Sequence, residues 1–344
     1  MSAIPGHNGV RSGCIKGPNA FAGSLRKMQQ FFFAESKSFG TRVEQLFSFI
    51  HPASVALWNL RWQVQGFVAA SPTATDLDLS GRFASGSGIK ANNLKKICVE
   101  TPWGEQLGQF AQIVGANMIA LYEGWAEGLM AKFPKGDDLS RDIQFPGRGK
   151  HGSRRSGVGE ALAGIHQAGI SLEMKQAFFP AYSASKKYSI SELDALMALY
   201  RYHKEIRNSF MHGGGVAGKR AEKAWRDVST LTRADIGGKS GPIITPIVEG
   251  QPIAYTIEEA IQLSDVIIRL VHTIDAELSY SSRAEQYFLD SWKATPDILK
   301  LQQLPTDPDR RNKRIAQICR KIGFVAPADP AAAMALGRQA GMLS

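Results

Sequence analysis

The stretch from Ser189 to Gly215, SISELDALMALYRYHKEIRNSFMHGGG, carries the reading of the whole chain. Leu193, Leu196, Met197 and Tyr200 recur at helical spacing, so the segment reads as one amphipathic helix over 189–212. Ser189 and Glu192 have the spacing of a capping box, which predicts the start. Gly213, Gly214 and Gly215 predict the stop, because glycine readily takes the left-handed conformation that closes a helix. Arg207 falls seven residues after Tyr200, on the same stripe as the apolar side chains. An unpaired charge on a packed face is costly. Arg207 is therefore expected either to meet a carboxylate across the interface or to receive an anionic ligand. Glu205, Asn208 and His212 form the neighbouring stripe, with Asn208 and His212 four residues apart and within reach of each other.

A guanidinium that holds a phosphate and an imidazole that moves a proton are the two groups needed to cleave RNA without a metal. The competing reading is a plain helix end. A histidine in the last turn suits the helix dipole, and a following glycine is an ordinary C-cap. The Arg-x4-His spacing alone is unspecific.

Outward from this helix the chain reads as all-α. Residues 1–40 are expected to form an N-terminal arm, although Ser24–Phe33 already has some helical character. Helical pattern resumes at Thr41, and His51-Pro52 predicts a break. Ser54–Ala70 carries Trp58 and Trp62 at i,i+4, which reads as a core stripe in preference to a base-stacking platform. Residues 71–100 read as loop, with a short strand at Lys96–Val99. Thr101-Pro102 predicts a cap and first turn for a long helix ending near Phe133. Gly108, Gly115, Gly124 and Gly128 interrupt it, each at about 1 kcal/mol against alanine, which points to close packing there.

Residues 134–157 read as a polar linker with a basic cluster of Arg148, Lys150, His151, Arg154 and Arg155. This is either a solvated loop or a phosphate-contacting patch. A short helix is expected over 160–177 and a basic one, containing Trp225, over 218–228. PIITPIVEGQPIAYT, up to Thr256, predicts a small β-hairpin turning at Glu249-Gly250. Thr256 with Glu259 opens a second capping box, and the helix after it is expected to continue with a bend toward Trp292. The domain boundaries that follow are 41–292 for the helical domain and 293–344 for a basic C-terminal appendage, read as a packed subdomain or an extended arm.

The chain has 344 residues, 44% hydrophobic and 21% charged, with a formal charge of +10. That composition is globular, and the basic excess favours an anionic partner, nucleic acid before an acidic membrane surface. Three scattered cysteines read as free thiols of a reducing compartment. Met1–Gly23 has no apolar core of a secretory signal, and no stretch has the ~18 apolar residues of a membrane span, so a cytoplasmic protein with no membrane partner is expected. Gly237-Gly238-Lys239-Ser240 lacks the first glycine of a P-loop, since Arg233 stands there. No Cys/His spacing suits a metal, and neither a metal nor another cofactor is expected.

Arg207-Asn208-Ser-Phe-Met-His212-Gly213 resembles the signature of the HEPN superfamily (higher eukaryote and prokaryote nucleotide-binding domains). Its active members are helical bundles with Arg-x4-6-His near a helix end, often with a polar residue right after the arginine. The resemblance spans roughly 100–292, strong in the motif and architectural elsewhere. It implies a metal-independent endoribonuclease, a toxin or antiviral-defence effector, acting as a homodimer with two motifs facing each other. It assigns Arg207 to the scissile phosphate, Asn208 to orientation and His212 to proton transfer, with Glu205 and Lys204 in support. Some toxins of the superfamily carry a tyrosine two residues after the histidine, used by a nucleotidyl-transferring antitoxin; here that position is Gly214, so that control is not implied. The larger chain leads to the expectation of a trigger or a regulatory protein partner. Two other readings remain: a catalytically silent helical module that binds RNA or protein, and a nucleic-acid-binding protein acting through 148–155 and 310–321.

Overall fold

Three consecutive aromatic rings, Phe31, Phe32 and Phe33, are fully buried and are the first residues described in this computed structural model, which describes residues 31–88, 93–147, 157–295 and 303–343. Residues 31–40 of the expected arm belong to this core and to the helix after it, and the rest of that arm lies outside the described residues. The Asp275 carboxylate accepts from the amides of Phe32 at 2.6 Å and Phe33 at 3.2 Å. Helix α1, Ala34–Ala70, follows at once. Buried among these groups, Asp275 has its pKa pushed up to about 6 by desolvation, against the pull of its hydrogen bonds and of Lys37.

Pro52 does not break α1. A proline inside a helix costs about 3 kcal/mol. Here Val43, Phe47 and Ile50 before it are buried in the main core, and Arg61 and Val64 after it are buried against the 76–83 and 94–106 segments, so packing on both sides holds the helix through. Trp58 and Trp62 reverse the expectation: they are 39% and 60% exposed, while the buried stripe of this half runs through Arg61 and Val64.

Helix α2, Asp76–Phe83, forms where loop was expected, opened by a capping box between Thr75 and Asp78. Lys96–Glu100 is one turn of π-helix, not a strand. Its carbonyls and that of Thr101 face Arg61, whose guanidinium donates to Ile97 O and Thr101 O at 2.8 and 2.9 Å. Helix α3 runs Trp103–Met130 without a side-chain cap, since the Thr101 hydroxyl donates to the Lys96 carbonyl instead. It lies antiparallel to α1: Arg61 donates to Gln106 near one end, and Trp125 donates to Ser36 near the other. Of the glycines in α3, Gly128 meets Glu35 of α1 and Gly115 meets the Tyr255 ring, where a Cβ would approach to 3.0 Å.

Helix α4, Gly136–Asp142, occupies part of the expected linker. The single helix expected over 160–177 is a series: α5, Val158–Ala168; α6, Leu172–Ala177; and α7, Phe179–Ser183. Helix α8, Leu193–His212, carries the motif. Its predicted Ser189 cap is diverted, because the buried Arg269 donates to the Ser189 hydroxyl through Nε and Nη2. Helix α9, Lys219–Val228, packs along α8.

No strand ladder forms among the described residues between Gly241 and Tyr255, so the predicted hairpin is absent. Pro242, Pro246 and Pro252 lack the amide protons a ladder needs. The neighbouring amides bond elsewhere: Ile243 donates to Gln262, and Thr245 to Glu259. Of the expectation only the turn at Glu249-Gly250 is present, and Pro252 instead forms an isolated bridge with Val216, outside the predicted hairpin.

Helix α10, Ile257–Leu278, opens with the predicted Thr256–Glu259 capping box and is the central rod, buried along its length. It packs against α3 and α8. The expected bend is a break at 279–281 before α11, Ser282–Lys293. The C-terminal segment packs as α12, Pro308–Lys321, and α13, Pro330–Gln339. Ile315, Ile318, Phe324 and Leu336 enter the same core as α10. The whole is a helical bundle, and among the described residues no helix is long and apolar enough to cross a membrane.

Candidate active site

Glu123 is the acid that answers the question posed by Arg207. It stands on α3 after a run from Gln106 to Tyr122 with no charged residue, where α3 faces α8. Its two carboxylate oxygens are held separately: Lys204 Nζ lies 2.6 Å from Oε1, and Arg207 Nη2 lies 2.9 Å from Oε2. The stripe position of Arg207 thus leads to a carboxylate across the interface, the first of the two outcomes open from sequence.

A second acid extends the network along α8. Arg201 Nη2 reaches Glu205 Oε1 at 2.6 Å, and Asn208 Nδ2 approaches Glu205 Oε2 at 3.5 Å. The Asn208 side-chain oxygen in turn accepts from Arg207 Nη1 at 3.0 Å, so the arginine is oriented by two partners. Lys204 also donates to Gln144 at 2.8 Å, and the Arg201 guanidinium lies 4.4 Å from the centre of the Phe145 ring. Three cations (Arg201, Lys204, Arg207) thus share two carboxylates (Glu123, Glu205), leaving the seam one positive charge in excess. Burial holds the Lys204 ammonium below its ordinary range, with Glu123 opposing the shift.

Helix α8 therefore brings together Lys204, Glu205, Arg207 and Asn208. His212 stands apart. It is the last residue of the helix, exposed, and Asn208 bonds to Arg207 and Glu205 instead of to it. Gly213, Gly214 and Gly215 follow, with φ of 60° at Gly214 and 83° at Gly215, and the Gly215 amide closes the end by donating to Ser209 O at 3.1 Å. The imidazole faces solvent beside a turn without side chains, which gives a substrate access to it.

A second histidine on the helix, His203, sits in the opposite situation. Its ring is 1% exposed, Nδ1 pairs with the Tyr255 hydroxyl at 3.1 Å, and Nε2 has no partner among the described residues. Desolvation lowers its pKa to about 3. It stays neutral and inaccessible, a packing histidine.

Arg148, Lys150, Arg154 and Arg155 lie outside the described residues, but both flanks of their segment are fixed beside α8. The Gly147 amide donates to Asp194 Oδ1 at 2.8 Å, and the Val158 amide donates to Phe145 O at 2.9 Å.

Sequence reading passed over Glu123, Arg201, Gln144, Phe145 and His203. Arg201 and Glu205 were legible as an i,i+4 ion pair. Glu123 was marked by its isolation in an uncharged stretch. Nothing local marked Gln144 or Phe145, which arrive from another part of the chain. Among the described residues no three of His, Cys, Asp and Glu gather in a way that could hold a metal ion. No protein-family model, no curated protein and no solved structure matches this chain.

Proposed function

We propose that the chain is a metal-independent endoribonuclease of the HEPN type, in which Arg207 and Asn208 hold the scissile phosphate and His212 moves the proton. The observation that carries this reading is the junction itself. A half-buried arginine, already oriented by Asn208 and Glu123, lies five residues before an exposed histidine that ends the same helix at an open glycine turn. In the reaction the ribose 2′-oxygen attacks the adjacent phosphorus while a base removes its proton, and the 5′-oxygen leaves as an acid protonates it. The products are a 2′,3′-cyclic phosphate and a 5′-hydroxyl. Positioned acid–base groups of this kind contribute roughly 10²–10⁴-fold each. Charge developing on the phosphoryl oxygens is met by the guanidinium. One His212 per chain serves one proton transfer, so a second copy of the chain supplies the other, and a homodimer is part of the proposal. DNA, lacking the 2′-hydroxyl, resists.

The test is incubation of the purified protein with total RNA in EDTA, followed by mapping of the ends. Cyclic-phosphate ends made by wild type and lost in Arg207→Ala and His212→Ala support the reading. Intact RNA, or equal cleavage by all three proteins, overturns it. A toxin or defence role is tested separately, by growth arrest on expression that either substitution relieves.

One observation favours a second reading, a silent RNA- or protein-binding module. Glu123 neutralises Arg207 and Lys204 in this state, so an incoming phosphate has to displace a carboxylate. Intact RNA together with measurable RNA affinity would select that reading.

A further inference from the structure

Every cation of the α3–α8 seam is already matched to a carboxylate or an amide oxygen, so the seam has little positive charge left with which to collect a polyanion. The unmatched charge lies next door, on α9. Ala221 and Val228 are buried there, and Ala224 and Trp225 pack against the core, which fixes the outward face of the helix. That face carries Lys219, Arg220 and Lys223, all exposed and in no ion pair among the described residues. The helix also carries two acids: Glu222, engaged by Arg226 at 2.5 Å, and the exposed Asp227, four residues after Lys223, so among the described residues three unpaired cations face one unpaired carboxylate.

This arrangement works against the helix that holds it. Lys219 and Lys223 are four apart, Arg220 and Lys223 three apart, and like charges at those spacings repel. Two of the three occupy the first turn, where the helix dipole is already positive and acids are the favoured residues. An anion laid across this turn relieves both conflicts. The start of α9 is also fixed relative to His212. Six residues join His212 to Lys219, seven Cα–Cα steps with a reach of at most about 24 Å, and the connection is folded back. The Ala217 amide donates to Gln251 O at 2.9 Å, and the Ile253 amide to Gly215 O at 2.9 Å.

We propose that the outward face of α9, through Lys219, Arg220 and Lys223, is the surface on which the phosphate backbone of single-stranded RNA lies as it enters the site at His212. This rests on the endoribonuclease reading for its occupant and adds a docking surface distinct from the groups that do the chemistry. Contacts from mobile lysine and arginine side chains to phosphates are sequence-independent and salt-sensitive, so the surface sets affinity for long RNA and leaves the bond-breaking step alone.

The experiment has two arms, both on the full chain. In the first, His212→Ala protein is titrated into a labelled single-stranded RNA of about 20 nucleotides over a salt series, with and without the triple change Lys219→Ala, Arg220→Ala, Lys223→Ala. The expected result is an affinity at least about tenfold lower, and a plot of log affinity against log salt shallower by about 2, from three phosphate contacts at ~0.7 each. In the second arm, wild type and the triple variant in the His212 background cleave a dinucleotide, which offers a single phosphodiester and no flanking backbone, and the long RNA. Equal dinucleotide rates with a raised KM for the long RNA support the proposal. Unchanged affinity and salt slope overturn it, as does a dinucleotide rate that falls with the long-RNA rate. If neither protein cleaves either substrate, the nuclease reading fails while the first arm still decides the docking surface. The three side chains are exposed, so an unchanged melting curve is the control; a Lys219→Gln, Lys223→Gln pair gives the same readout if the triple variant melts early.

Discussion

Nine positions along α8 lead from one histidine to another whose surroundings could hardly differ more. His203 is buried against Tyr255, its pKa lowered to about 3, and His212 is exposed at a turn of glycines. The inner part of α8 uses its polar groups on the bundle: Lys204 and Arg207 on Glu123, Arg201 on Glu205, Tyr202 on Glu259. Among the described residues the last turn has no such partners across it. The same side chain is a packing element in one place and a candidate proton carrier in the other, and the difference comes from what the neighbouring helices cover.

Replacing His212 with alanine is therefore expected to have the largest effect of any change on α8, and only on activity. RNA cleavage should fall by roughly 10²–10⁴-fold, or about 3–5 kcal/mol of barrier. An exposed substitution away from packing should shift stability by less than about 0.5 kcal/mol. Cleavage rates and denaturant midpoints measured together decide it. A variant that loses stability but retains activity would invert the contrast between the two histidines.

The next largest effect is on stability in acid. Burial depresses His203 to about 3 and His272 to about 4, from an ordinary 6.5, so the unfolded chain binds two more protons than the folded one as pH falls below 6.5. Asp275 acts in the opposite sense. Its folded pKa of about 6 lies above the ordinary 3.8, so between those values the folded state holds the extra proton. The balance between pH 6 and 4 is one proton in favour of unfolding, about 1.4 kcal/mol per pH unit or roughly 3 kcal/mol over the interval. Denaturant midpoints at pH 6 and pH 4 should show that loss, and His203→Phe should nearly abolish the slope. An unchanged slope in His203→Phe would mean that this ring titrates in the folded protein.

Glu123→Gln probes the seam between the two regions. It leaves Lys204 and Arg207 half-buried without their shared carboxylate and raises the net charge of the cluster by one. A stability loss of about 1–3 kcal/mol is expected, below the full cost of breaking a fully buried pair because both cations keep some solvent. RNA affinity should rise in the same variant, since two cations are released toward an incoming phosphate. A loss of affinity would show that Glu123 positions Arg207 for RNA instead of competing with it.

What was legible in the sequence follows from how local each determinant is. The α8 stripe, the Thr256–Glu259 box and the glycine stop are short-range patterns, and the structure places the helix ends within a few residues of them. Ser189 looked equally local, yet its hydroxyl is taken by Arg269, eighty residues away, and the box never closes. Pro52 should have ended a helix and did not, because buried side chains on both sides hold the same line. The motif residues were readable one by one. Their partner Glu123 comes from another helix, and Gln144 and Phe145 come from the turn after α4. Only the tertiary packing puts them there.

Trp62 gives the smallest expected effect and the clearest case of a pattern that local reasoning cannot resolve. Trp58 and Trp62 have the i,i+4 spacing of a core stripe, and their rings do meet edge-on at 5.7 Å. Spacing fixes which residues share a face, but not which face a neighbour covers. In this half of α1 the covered face belongs to Arg61 and Val64, whose guanidinium and methyls pack under the π turn and α2. Trp62→Ala should then cost no more than about 0.5–1 kcal/mol, the value of one exposed aromatic pair. Val64→Ala, two residues on, should cost more, because it empties a site with no solvent access. Chemical denaturation of the two variants compares them directly. A loss of about 3 kcal/mol or more for Trp62→Ala, the range of a buried aromatic, would mean that this face is covered after all, and that the stripe was core as its spacing implied.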